Sequence, residues 1–154
     1  MLVDAGVRTL VDVRRFPGSR RNPQFNEGAI QPVLEDAGIA YHHAVELGGR
    51  LAGERGKERF GCIRVEAFRS YAARMGTEEW QIVLRSALQE VAPCFMCAET
   101  PWWRCHRRLI AELLQARGEH IVHLMGPGKQ QEHVPWSIAE ARAGMLFLCG
   151  EPVA

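Results

Sequence analysis

The chain has 154 residues, 47% hydrophobic and 24% charged, with a formal net charge of +1. That length suits one domain, the balance is that of an ordinary globular protein, and no overall field draws it to nucleic acid or a membrane surface. No apolar run approaches the roughly 18 residues of a membrane span, and the opening "MLVDAGVRTL" lacks the basic head and apolar core of a signal peptide.

Five cysteines (62, 94, 97, 105 and 149) are an odd number. Without an export signal they read as free thiols in a reducing cytoplasm.

The apolar, β-branched run Thr9 to Val13 predicts a buried strand, and Pro17, Gly18 and Pro23 then force a loop. Asn26 is placed to cap a helix carrying Ile30, Val33, Leu34 and Ala37 at helical spacing, stopped by Gly38. "IAYHHAVELGG" predicts a second strand and a glycine turn. Residues 50 to 64, charged and glycine-containing, predict an exposed loop.

"VEAFRSYAARM" predicts a helix with Phe68, Tyr71 and Ala72 on one face. Thr77 caps the next helix, Glu78 and Glu79 suit its positive end, and Trp80, Val83, Leu84, Leu88 and Val91 form its stripe. A strand over Pro93 to Ala98, a helix over Trp103 to Arg117 and a strand over His120 to Met125 follow. "GPGKQQEHVPW" reads as a loop, and the tail over 136–154 as one more helix and a short strand. Strands alternating with helices predict one α/β domain: three layers, a mainly parallel sheet flanked by helices, Rossmann-like.

Ligands bind beyond the carboxyl ends of the strands in such sheets. Two loops there are rich in cations. "RRFPGSRRNPQF" after Val13 carries Arg14, Arg15, Arg20 and Arg21, and "ETPWWRCHRR" carries Arg104, Arg107 and Arg108. Arginines in a first helical turn oppose the dipole, at a cost of about 0.3–1 kcal/mol each, which an anionic partner would reverse. The competing reading pairs them with Glu99 and Glu112 or leaves them in solvent.

Cys97, between strand and helix N-terminus and near arginine, suits a thiol of lowered pKa, and Glu99 could act as its acid or base. Cys97 reads equally as a small buried hydrophobe. Cys105 and His106 align with the helix stripe and read as partly structural. Cys94 and Cys97 spell C-x-x-C, but in an extended strand they face opposite ways. Cys97, Cys105 and His106 with one further ligand could hold zinc, although the spacing matches no common zinc signature. Trp102 and Trp103 could stack on a base or seal the turn. "GPGK" is too short for a phosphate-binding loop, and no cofactor is specified. Asp12, inside an apolar strand, needs a buried partner such as Arg14.

"LVDVRRFPGSRRNPQFN", "ELGGR", "MCAETPWWRCHRRLIA" and "HLMGPGK" together resemble the domain-of-unknown-function 488 family, from Leu10 to about Pro135. The matching positions are Asp12, Arg14, Ser19, Arg20, Asn22, Pro23, Phe25, Gly48, Gly49, Cys97, Glu99, Cys105, His106 and Arg107. The resemblance implies a preceding "TIGHS"-like strand and turn that this sequence lacks, and an edge left open there could bury itself by homodimerisation.

The expected site has Cys97 and Glu99 as reacting groups. Asp12, Arg14, Ser19, Arg20, Asn22, Arg104, His106 and Arg107 bind the ligand, a phosphorylated small molecule or nucleic acid. The alternatives are a non-catalytic nucleic-acid or nucleotide binder and the Cys97, Cys105, His106 metal site.

Overall fold

The computed structural model describes residues 1–49 and 53–154. Arg50 of the "ELGGR" segment therefore lies outside the described residues, as does the start of the expected 50–64 loop.

Three parallel strands form the central sheet: β1 (Thr9–Asp12), β2 (Ala40–His43) and β3 (Pro93–Met96), in the order β2-β1-β3. β1 is the middle strand and is buried along its whole length, which its unbroken apolar run requires. Helix α1 (Glu27–Asp36) links β1 to β2, and α2 (Glu66–Met75) and α3 (Glu78–Leu88) link β2 to β3. Helix α4 (Arg107–Ala116) follows β3.

The two faces of the sheet are covered differently. Leu10 on β1 and Cys94 and Met96 on β3 pack against Ile30 and Leu34 of α1. Val11, Val13, Phe95 and Cys97 turn the other way, into a larger core with Tyr71 of α2, Trp80 and Leu84 of α3 and Leu109 and Leu113 of α4. Cys94 and Cys97 thus lie on opposite faces.

The parallel portion is smaller than the alternation predicts. The next strand, β4 (Val122–Gly126), pairs antiparallel with β5 (Lys129–Glu132), inside the stretch expected to be a loop. The tail holds no helix: β6 (Ala139–Arg142), β7 (Met145–Leu148) and β8 (Glu151–Pro152) make an antiparallel sheet. The architecture is therefore mixed α/β, with one parallel and two antiparallel sheets among the described residues. Tail residues Leu146, Leu148 and Val153 enter the larger core. The chain crosses so close to Gly76 that a Cβ there would lie 2.7 Å from the Val153 carbonyl oxygen.

Other local departures have physical causes. Thr77 caps α3 as expected, its Oγ1 accepting from Trp80 N–H at 3.4 Å, but Val91 lies beyond the helix end and is exposed. The segment after residue 53 is not wholly exposed: Lys57–Phe60 forms a short 3-10 turn that buries Phe60, and Ile63 follows it into the core.

The cysteines also differ from expectation. Cys62 and Cys149 form a disulfide, and only Cys94, Cys97 and Cys105 are free. The pair is 87 residues apart and is brought together by the tail sheet, so residue spacing gave no sign of it. Among the described residues, no helix is long and apolar enough to cross a membrane.

Candidate functional site

β1 and β3 are parallel neighbours, so the segments leaving their carboxyl ends emerge side by side. Arg14 and Arg15 follow the first strand; Cys97 and Glu99 follow the second. Trp102–Arg104 then make a 3-10 turn, Cys105 is extended, and His106 is the N-cap of α4. The helix starts four residues later than the sequence suggests. Arg104 consequently lies before it, and only Arg107 and Arg108 occupy its first turn.

His106 organises the site. Its Nε2 lies 3.3 Å from the Val13 carbonyl oxygen, so the ring proton belongs on Nε2. Nδ1 is then a lone pair. It faces Cys105 Sγ at 3.6 Å and Cys97 Sγ at 3.7 Å. The two sulfurs and a His106 ring nitrogen all lie within 4.8 Å of one another. Gly49 packs on the ring, where a Cβ would come within 2.7 Å of Nδ1. Tyr71 lies against the same ring, with centroids 5.0 Å apart.

The thiols are unequal. The Cys97 S–H donates to Glu99 Oε2 at 2.9 Å, with His106 Nδ1 and the Cys105 sulfur beside it. Its hydrogen bond to Cys105 and its burial hold the Cys97 thiol well above its ordinary range. The same bond, helped by the Arg107 backbone N–H 3.4 Å from the sulfur, brings Cys105 down to about 7 despite burial. Against the expected activation of Cys97, its thiol is pushed up, and the thiol brought down is that of Cys105, two residues before α4. Burial acts to raise the Glu99 carboxyl, but the Cys97 hydrogen bond and a backbone N–H hold it below the usual carboxylate range.

A cavity of about 260 Å³ opens beside this cluster, lined among others by Cys97, Glu99, Cys105, His106, Arg15 and Arg104. Of the other expected anion ligands, Arg14 also borders this cavity, whereas Asp12, Ser19, Arg20, Asn22 and Arg107 do not. Arg14 is buried, with Nε and Nη2 bonded to the Asp12 carboxylate at 2.5–3.0 Å, and Tyr41 Oη donates to the same carboxylate at 2.8 Å. Asp12 and Arg14 thereby neutralise each other. Ser19, Arg20 and Asn22 do not line the cavity; the Ser19 hydroxyl accepts from Asn22 N–H, and Ser19 N–H donates to Asn26.

The α4 arginines diverge as well. Arg107 donates to the Glu99 carbonyl at 2.5 Å and lines a different cavity. Arg108 lies over Trp136, 4.1 Å from the ring centroid, and near Glu112. Trp102 is buried against His123, while Trp103 stays 44% exposed. Arg15 was not among the expected ligands, and Gly49 matched only as a family position. Arg15's place in the arginine run was the available signal; Gly49's contact with His106 had none.

No curated protein and no solved structure matches this chain. The family model described as "Domain of unknown function DUF488" matches residues 1–114, almost three quarters of the chain and all of the thiol–imidazole cluster. This chain therefore belongs to the DUF488 family.

Proposed function

We infer that Cys97, Cys105 and His106 bind a transition-metal ion of the zinc class, and that the ion faces a cavity for an anionic ligand. One observation carries the reading: His106 Nδ1 lies 3.6 and 3.7 Å from the two sulfurs. Sulfur and nitrogen ligands at about 2.3 and 2.0–2.1 Å from one tetrahedral ion are separated by about 3.6 Å. The His106–Val13 hydrogen bond is the outer contact that a ligating histidine needs to keep its other nitrogen bare.

Three protein ligands leave a fourth position for Glu99 or for a molecule in the cavity. The ion would supply Lewis acidity there. Arg15 and Arg104 edge the same cavity and give an anion two guanidinium partners. A phosphorylated small molecule fits this arrangement. Nucleic acid is less favoured, because Trp102 is occupied by His123, Arg14 is paired with Asp12 and Arg108 lies over Trp136.

A second reading keeps the site metal-free. The Arg107 N–H beside Cys105 Sγ supports a thiolate nucleophile there, with Glu99 as the neighbouring acid or base.

Elemental and native mass spectrometry on anaerobically purified chain tests the choice. One equivalent of metal is expected, lost in Cys105→Ser and His106→Gln. If the chain retains no metal and fails to take up added cobalt(II) or zinc(II), the metal reading is wrong. Weaker phosphate binding in Arg104→Gln, with metal content unchanged, is the expected sign of the anion pocket.

A further inference from the structure

A second group of buried polar side chains lies between α4 and the β4–β5 hairpin, away from the thiols. Glu112, only 3% exposed, sits in the middle of α4. Its Oε1 accepts from the Trp136 backbone N–H at 2.7 Å and lies 3.4 Å from His133 Nε2. The His133 side chain is fully buried, and its Nε2 makes no hydrogen bond in this geometry. His133 Nδ1 is 3.0 Å from Nε2 of His123. The His123 ring is stacked on Trp102, with centroids 4.0 Å apart and planes 4° from parallel.

The 3.4 Å approach of Glu112 to His133 and the 3.0 Å His133–His123 contact favour one arrangement of the protons. A buried imidazole nitrogen facing a carboxylate carries its hydrogen toward it. His133 is then Nε2–H, and its Nδ1 is an acceptor. His123 must donate from Nε2, which leaves His123 Nδ1 bare. The carboxylate of Glu112 thus fixes the tautomer of a histidine it does not touch. A buried carboxylate and two imidazoles stabilise a fold less well than apolar side chains of the same size, so their presence calls for another role.

His123 lines the larger cavity, about 510 Å³, which lies among β3, β4 and α4. Arg107 lines it too, and its Nε is buried without a hydrogen-bond partner. Leu88, Ile110 and Leu114 give the cavity an apolar wall; the exposed Glu119 and His120 also border it.

We propose that this cavity is a second ligand site, for a small organic acid with an apolar tail and a hydroxyl near its carboxylate. Arg107 takes the carboxylate, and His123 Nδ1 accepts the hydroxyl proton in a hydrogen bond. Glu112 and His133 are positioning residues that keep that nitrogen unprotonated. The site does not depend on a metal at Cys105.

Calorimetric titration of the full chain with 3-hydroxyoctanoate and with octanoate tests the proposal. The hydroxy acid should bind about threefold to tenfold more tightly, the worth of one net hydrogen bond. His123→Phe keeps a ring on Trp102 and should erase that preference while still binding octanoate, which also reports that the variant is folded. Arg107→Gln should weaken both acids. Nitrogen-15 spectra of the histidine side chains give a readout independent of ligand. They should show Nε2–H on both rings, with the pattern altered in Glu112→Gln. Equal affinity for the two acids, no binding of either, or a proton on His123 Nδ1 would each overturn the proposal.

Discussion

His106 and Val13 are joined across 93 residues of sequence, with Nε2 of the ring 3.3 Å from the carbonyl oxygen. The strand that ends at Asp12 thereby sets the direction of a ring carried at the start of α4. Gly49 closes the other side, and a methyl group there would meet Nδ1 at 2.7 Å. Gly49→Ala should therefore displace the ring. Metal affinity should fall by about tenfold to a hundredfold, the usual cost of disturbing an outer contact. Cobalt(II) titration followed at the thiolate charge-transfer band measures it, and unchanged affinity would show that His106 does not ligate.

Asp12 is completely buried and balances the nearly buried Arg14. Asp12→Asn leaves that guanidinium uncompensated and should cost about 3–5 kcal/mol. Tyr41→Phe removes one neutral donor to the same carboxylate and should cost about 1 kcal/mol. Urea unfolding of both variants checks the ranking; a mild Asp12→Asn would mean that Arg14 escapes to solvent.

The His123 imidazole is held down to about 4, first by burial and then by His133 and the charge of Arg107. In the unfolded chain it titrates near its usual value of about 6.5. Between those pH values the unfolded chain binds a proton that the folded chain refuses. Stability is therefore full above about 6.5 and declines as the pH falls toward 4. The loss between pH 7 and pH 5 should be on the order of 1 kcal/mol, after discounting for solvent screening at a half-buried site. His123→Gln should flatten this part of the profile, and an identical slope in the variant would assign the decline to other groups.

The Cys62–Cys149 disulfide closes a loop of 87 residues. Constraint of the unfolded chain by a loop of that length is worth up to about 4–5 kcal/mol. Reductant should lower Tm markedly in the native chain and leave Cys149→Ser unaffected, since that variant already lacks the bond. Equal melting with and without reductant would show that the two cysteines are not joined in solution.

Local patterns were readable where one segment determines its own conformation. β1, α2 and α3 follow directly from apolar spacing and from the Thr77 cap. Cys97, Glu99, Cys105 and His106 do meet, because the segment leaving β3 turns back through Trp102–Arg104 before α4 begins. The Asp12–Arg14 pair was legible, but charge alone does not give direction for the α4 arginines: Arg107 turns into the Glu99 carbonyl and Arg108 onto Trp136. The Cys62–Cys149 pairing, the β4–β5 hairpin and the tail sheet depend on partners distant in sequence or on turns without a strong signal. Gly128, at φ 66°, was the one cue to the hairpin within "GPGK".

The match to the family ends at residue 114, yet the core does not. Leu146, Leu148 and Val153 are packed with Leu109 and Leu113, the same helix whose first turn supports Cys105 and His106. The inherited segment and the cooperative unit thus differ in length. A graft of the thiol–imidazole site into another scaffold, cut at the family boundary, would uncover the apolar side of α4 and loosen its own anchor. To be portable, the site must travel with the forty residues beyond the family boundary.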